Sequence, residues 1–177
     1  MRTVSGFKTS DASSEMLAAI RRLLDLGFDG DFSQHDWEHT IGGLHLVVVE
    51  AGVPIAHASI VERAIQAAEA PFRTGYVEAV ATHPARQRQG LGSLLMERVG
   101  QALRQDFEMG SLSTSLPDFY ARFGWERWRG PTFVRSGSDL ARTADEDDGV
   151  MVLRFGPSED VDLTASISCE TRPGDDW

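Results

Sequence analysis

Gln87-Arg88-Gln89-Gly90-Leu91-Gly92 decides how this chain reads, because the sequence changes period on either side of it. Before it, Gly75-Tyr76-Val77-Glu78-Ala79-Val80-Ala81-Thr82 alternates and carries enough β-branched and aromatic residues to form a strand. After it, Leu91, Leu94, Leu95, Val99, Ala102 and Leu103 recur at helical spacing, which predicts a helix from about residue 89 to 104. His83-Pro84 breaks the strand and Gly90 opens the helix. A glycine at that point lets the backbone approach a ligand closely, since no Cβ intervenes. The first N–H groups of a helix lack internal partners and can bind a pyrophosphate, and successive amides in the turn can cradle the same charge.

Two common phosphate motifs do not fit. The chain has no Gly-x-x-x-x-Gly-Lys-Ser/Thr, and its Gly-x-Gly lacks the third glycine of a dinucleotide fingerprint. A second local pattern follows the helix. Pro117-Asp118-Phe119-Tyr120-Ala121-Arg122-Phe123-Gly124-Trp125 reads as a short helix with Pro at its start and Gly at its end.

The 177 residues suit one domain with a full core, and the 41% hydrophobic content is ordinary for a soluble globular protein. No apolar run approaches the ~20 residues of a membrane helix. The polar segment from Met1 to Asp11 lacks the apolar core of a signal peptide, so a bacterial-type cytoplasm is the expected location. Cys169 stands alone, which excludes an internal disulfide framework. With 17 basic residues against 27 acidic ones, the net charge of −10 argues against nucleic acid as a partner. The acids crowd the last third: Asp145-Glu146-Asp147-Asp148, Glu159, Asp160, Asp162, Glu170, Asp175 and Asp176. Converging on one cleft, they would concentrate a cationic small molecule.

Along the chain, a polar start precedes a helix over residues 14–26, with Ser10, Asp11 or Ser13 as its cap. Residues 27–32 read as a turn, and Ser33 with Asp36 approximates a capping box for a short helix through Thr40. Residues 44–49 and 53–61 flank Ala51-Gly52 as a hairpin. Residues 64–70 either finish the second strand or form a loop, and 71–73 lead into the central strand. Strands are expected over 110–115, 125–128, 133–135, 150–155 and 161–169, with a polar loop over 136–148. This order describes a mixed α/β sheet protein.

Gln87, Gly90 and Gly92 fit the acetyl-coenzyme A signature Gln/Arg-x-x-Gly-x-Gly/Ala, so the segment resembles the GCN5-related N-acetyltransferase (GNAT) superfamily. Tyr120, Gly124 and Trp125 fit that superfamily's Tyr-x-x-x-Gly-aromatic patch in the right order. The likeness narrows further. Gly30-Asp31-Phe32, Asp36-Trp37-Glu38-His39-Thr40, Gly42-Gly43, Gly75-Tyr76-Val77-Glu78 and the closing Gly174-Asp175-Asp176-Trp177 resemble the aminoglycoside 2'-N-acetyltransferase family from about Leu23 to the C-terminus. The resemblance implies one acetyltransferase domain over residues 1–177, with a largely antiparallel central sheet flanked by helices. Acetyl-CoA would bind at a splayed strand and helix junction. It also implies a homodimer, a polycationic aminoglycoside as acceptor, antibiotic resistance as the outcome, and no nucleic-acid or membrane partner.

By the same resemblance, Val80, Ala81, Thr82, Gln87, Arg88, Gln89, Gly90, Leu91 and Gly92 hold acetyl-CoA, the Val80 N–H polarising the thioester carbonyl. Asp31, Glu78, Ala79, Ser113, Asp175, Trp177 with its carboxylate, and one of Asp147 and Asp148 meet the acceptor. Asp36 either joins them or only caps its helix. An ammonium has no lone pair, and neighbouring carboxylates favour the charged amine, so a base is needed beside it. Glu78 is the candidate base, expected to share a strand face with Tyr76 and Val80. Tyr120 is the candidate acid for the departing thiolate.

Rival readings are a GNAT enzyme for another cationic amine, such as a polyamine or a cell-envelope amino sugar, and a binding module that has lost catalysis. His35 and His39 have the spacing of zinc ligands but lack the Glu and any third ligand, so no metal is expected. His57 reads as a hydrogen-bonded core residue and Cys169 as buried and inert. Met16, Met96, Met109 and Met151 read as core filling.

Overall fold

Tight turns between antiparallel strands organise much of this chain, whose structure, a computed structural model, describes residues 3–177. β1 (Val4–Lys8) occupies the segment whose polarity suggests no strand; it pairs antiparallel with β2, which supplies the ladder partners its own side chains do not announce. α1 (Ser14–Gly27) starts at Ser13, whose hydroxyl accepts the Met16 N–H at 3.2 Å, and buries Ile20, Leu23 and Leu24. α2 (Gln34–Thr40) carries the full capping box of Ser33 and Asp36, so Asp36 has a structural task.

β2 (Leu44–Glu50) and β3 (Val53–Ala67) form the expected hairpin, with Ala51 and Gly52 at φ 50° and 81°, as a two-residue turn requires. β3 runs to Ala67 and turns through Ala68 and Glu69, both left-handed at φ 50° and 65°. β4 (Ala70–Thr82) therefore begins before Gly75. A turn of two non-glycine residues offers no sequence signal, which is why the strand's start is hidden.

α3 (Leu91–Asp106) follows the turn, then β5 (Met109–Ser113), α4 (Pro117–Ala121) and β6 (Glu126–Arg127). β7 (Thr132–Ser136) and β8 (Asp139–Arg142) form a hairpin through Gly137, correcting the expected loop over 136–148. β8 is wholly exposed, so it lacks the apolar alternation that marks a strand. β9 (Val150–Arg154) and β10 (Ile167–Glu170) complete the sheet. Residues 161–166, expected in the last strand, lie outside it: Asp162 turns the chain by accepting the Thr164 N–H and hydroxyl at 2.8 and 2.7 Å.

Two compact units emerge. The first takes the chain to Val61 together with Val77–Val99, and the second takes Glu62–Tyr76 and Gly100–Trp177. In the first, Ile20, Leu24, Phe32, Val47 and Ala81 form a core to which Phe7, Met16, Trp37, Val49 and Ala79 add. In the second, the strand order is β6-β9-β5-β4-β3-β10-β7-β8. β4 with β5 and β10 with β7 are parallel, while β5-β9, β6-β9, β3-β10 and β7-β8 are antiparallel. Leu103, Met109, Leu112, Trp125, Trp128, Met151 and Ile167 are buried there. The result is a mixed α/β fold with a largely antiparallel sheet flanked by helices. Met96, Met109 and Met151 are buried and Met16 packs on the first core, as core filling requires.

Candidate active site

The turn that opens α3 is built to expose amides. A short helical turn over Pro84–Arg86 is capped by His83, whose ring accepts the Ala85 N–H at 3.2 Å. Arg86 is fixed beside it by Glu50, at 2.7 and 3.0 Å from Nη2 and Nε. Arg88 and Gly90 are left-handed at φ 58° and 81°, a pattern that turns successive N–H groups to one side. The Gly90 carbonyl accepts the Leu94 N–H at 3.0 Å, so α3 starts with the amides of Leu91 and Gly92 beyond reach of any carbonyl of their own helix. A Cβ on Gly90 would meet nothing within 4 Å, so its Cα faces open space. Residues 87–90 are exposed. This set of donors suits a diphosphate.

Within the same unit, β4 carries Glu78, Ala79, Val80, Ala81 and Thr82. Ala79 is left-handed at φ 50°, so the alternation expected to set Glu78 on one face with Tyr76 and Val80 does not carry through. The Glu78 carbonyl accepts the Ser59 hydroxyl at 3.3 Å, and the Ala79 carbonyl accepts His57 Nδ1–H at 2.9 Å. Ala81 is buried, whereas Glu78, Ala79, Val80 and Thr82 are half-buried. His57 is fully buried and hydrogen-bonded, as read from its apolar strand. Asp31 is exposed on the turn after α1, next to the stacked Phe28 and Phe32 rings.

The second unit gathers acids. Ser113, at the end of β5, donates to Glu146 Oε2 at 3.3 Å. A Cβ on Gly149 would lie 2.9 Å from the Ser113 hydroxyl, so glycine there permits the close approach. Burial pushes the Glu146 carboxyl up; Ser113 opposes this, and the nearby Asp175, Asp145 and Asp176 charges add to it. Asp147, the next residue, behaves in the opposite way. Arg142 grips both its oxygens and Thr132 gives it an N–H at 3.0 Å and a hydroxyl at 2.9 Å. Its carboxyl falls to about 2, chiefly through Arg142. Asp148 and Asp175 are exposed.

The tail ends inside the protein. Trp177 is only 6% exposed and its indole donates to Thr143 Oγ1 at 3.1 Å. Arg63, 4% exposed, donates to the Asp176 carbonyl at 2.6 Å, to the Glu170 carbonyl at 2.7 Å and to its carboxylate at 3.2 Å. Arg172 adds a bond to the Asp175 carbonyl at 2.7 Å. Cys169 is buried, its thiol pushed up to about 11 by burial, and so inert. Tyr120, 9% exposed, sits on α4 edge-on to Phe119 and Trp125. Burial pushes its hydroxyl up to about 12, with a Thr114 hydrogen bond opposing. The phenol thus keeps its proton at neutral pH.

Sequence reading missed Glu146 as a partner of Ser113, Arg63 as the anchor of the tail, Arg142 as the occupant of Asp147, and His45 beside His57. All but Arg142 with Asp147, which lie five residues apart, join residues distant in the chain. Among the described residues, no group of three or more His, Cys, Asp and Glu side chains is arranged to hold a metal, and no helix is long and apolar enough to cross a membrane.

A family model described as an acetyltransferase (GNAT) domain matches residues 8–128. An aminoglycoside 2'-N-acetyltransferase of Mycolicibacterium fortuitum is 40% identical over 173 residues, covering 96% of this chain and 89% of that protein. The E. coli GNAT family N-acetyltransferase YhbS, solved in complex with CoA, superposes with a TM-score of 0.67 at 17% identity, over 95% of this chain and 89% of that one. A GNAT family acetyltransferase from Brucella melitensis, solved with acetyl-CoA, gives 0.61 at 19% identity, over 94% and 96%.

Proposed function

The chain belongs to the GNAT acetyltransferases, in the aminoglycoside 2'-N-acetyltransferase family, and from that premise we propose that it transfers acetyl from acetyl-CoA to the 2'-amine of aminoglycosides. The observation that carries the acceptor is the gathering of Asp145, Asp175 and Asp176 around Glu146, whose carboxyl is raised first by burial and then by the charges of these three acids. A polycation relieves that repulsion, whereas an anionic or neutral acceptor would not.

The amides from Gln87 to Gly92, with Arg88 and Gln89 between them, hold the diphosphate of acetyl-CoA, and Val80, Ala81 and Thr82 line its acyl end. Asp31, Ala79, Ser113, Asp148, Asp175 and the Trp177 carboxylate meet the acceptor. Asp148 rather than Asp147 takes the role left open in the loop, because Arg142 and Thr132 already occupy both Asp147 oxygens. Glu78 removes a proton from the acceptor ammonium, directly or through water, and the freed lone pair forms the new N–C bond. The Val80 N–H stabilises the negative charge growing on the carbonyl oxygen. As the C–S bond breaks, Tyr120 passes its proton to sulfur.

The family match crosses both units, which supports reading 1–177 as one acetyltransferase domain. Family likeness further suggests a cytoplasmic homodimer that confers aminoglycoside resistance, without nucleic-acid or membrane partners and without a metal. Purified protein should release CoA thiol with gentamicin or tobramycin, and NMR of the product should place the acetyl group on the 2' nitrogen. Turnover of spermidine but of neither drug would replace this reading with the polyamine rival.

A further inference from the structure

β4 adopts a backbone conformation at Ala79 that an L-residue reaches at a cost of about 1 kcal/mol or more. Something must hold it there. Two side chains of β3 reach its carbonyls, Ser59 to Glu78 and His57 to Ala79. The His57 contact is the inner end of a longer chain: His57 Nε2 lies 3.0 Å from His45 Nδ1, and His45 Nε2 lies 2.8 Å from Thr9 Oγ1. Thr9 Oγ1 in turn accepts the Gly42 N–H at 3.0 Å.

With both rings neutral, the direction of these bonds follows from the inner end. A carbonyl only accepts, so His57 carries its proton on Nδ1 and offers Nε2 as an acceptor. His45 must then donate from Nδ1, which leaves its Nε2 to take the Thr9 hydroxyl proton. A second proton on the His57 ring would be set against the His45 Nδ1–H. Both histidines are fully buried, and desolvation holds them neutral at any working pH. The chain is not a proton relay, because its inner end is a carbonyl oxygen that cannot pass a proton on. It can only fix geometry.

What it fixes follows from peptide planarity. The Ala79 C=O and the Val80 N–H belong to one trans peptide unit, so aiming the carbonyl at His57 aims the amide the opposite way. A hydrogen bond on the carbonyl also polarises the unit and makes its N–H a stronger donor. We propose that His57, backed by His45 and Thr9, is the positioning residue for the Val80 amide, holding that peptide plane in the orientation an acyl-transfer site needs. This inference rests on the role given to Val80 above.

The test reads the amide directly, with no acceptor present. Carbonyl-labelled [13C]acetyl-CoA bound to wild type should show its thioester stretch moved below the free-solution frequency. In His57→Leu the shift should be largely lost, and kcat should fall on the order of 10- to 100-fold, with the KM for acetyl-CoA nearly unchanged. His57→Gln, which can donate to the Ala79 carbonyl and accept from His45, should restore both. Should His57→Leu fail to fold, Thr9→Val at the half-buried outer end should give a smaller loss of shift in the same direction. A full shift retained in His57→Leu, or in Thr9→Val where that is the variant measured, overturns the inference. No shift in wild type overturns the Val80 role and the inference with it. Absence of aminoglycoside turnover alongside an intact wild-type shift overturns only the acceptor reading.

Discussion

Around Ala79 in β4, uncharged groups hold the backbone: Ser59 and His57 reach the Glu78 and Ala79 carbonyls, and His45 and Thr9 stand behind His57. At the C-terminal tail the holding groups are guanidiniums, Arg63 on the Asp176 and Glu170 carbonyls and Arg172 on that of Asp175. The contrast follows from what each region must present. An amide aimed at a carbonyl oxygen needs a dry, uncharged support, since a fixed charge beside it would alter the very potential the amide supplies. An acid-rich tail would repel itself without cations, yet cations on its side chains would erase its attraction for an ammonium. Arg63 and Arg172 resolve this by bonding mainly to main-chain carbonyls. Glu146 and Asp147 show the same sorting within two adjacent residues: Arg142 neutralises Asp147 and leaves Glu146 to its acidic neighbours.

Acid should act on the imidazole pair and on the Arg142–Asp147 pair in separate windows. His45 and His57 titrate near 6.5 when unfolded but only at about 4 and about 3 when folded, so between those values the unfolded chain binds protons that the folded one excludes. Stability should therefore fall as pH drops from about 6.5 toward 4, and His57→Gln should flatten that slope in urea titrations at stepped pH. Asp147 contributes stability that is present above 3.8 and lost as pH falls toward about 2, so Asp147→Asn should lower stability throughout the range above 3.8 and remove the slope only between 3.8 and about 2.

Arg63→Met tests the tail support. It leaves buried carbonyls unpaired and should cost about 2–4 kcal/mol by denaturant unfolding while raising the acceptor KM. Stability retained at the wild-type level would remove Arg63 from the comparison. Tyr120→Phe should lower kcat about 10- to 100-fold with little change in acetyl-CoA binding, and unimpaired single-turnover rates would reject the acid role. Deleting Trp177 should raise the acceptor KM about tenfold, leaving that for acetyl-CoA unchanged; equal values in both would sink the terminal-carboxylate contact. The smallest effect is expected for Glu146→Gln, a few-fold fall in kcat/KM with a shallower salt dependence, while Asp147→Asn should leave the salt slope alone.

How much of this was legible depended on distance along the chain. The Ser33-Asp36 box and the Ala51-Gly52 hairpin stand where the sequence put them, Ser13 is one of the three caps it offered for α1, and α3 starts at Leu91, two residues after the expected position; all rest on residues within a few positions of one another. The Ala68-Glu69 turn and β8 escaped notice, because one uses left-handed residues without glycine and the other is exposed along its length. The same limit applied to the candidate site. The amide-bearing turn is continuous in sequence, whereas Ser113 with Glu146, Trp177 with Thr143 and Arg63 with Asp176 meet only across strands.

Taken alone, the sequence determined the strand-to-helix switch around Gly90, the family, the acidic balance and the set of carboxylates available for a cation, since these follow from residue type and short spacing. Only the tertiary structure decided which of those carboxylates is already paired, and that a buried imidazole pair stands behind the Ala79 carbonyl. Charge compensation and hydrogen bonding act over a few ångströms between side chains that folding brings together from distant positions, and spacing along the chain carries no record of that proximity.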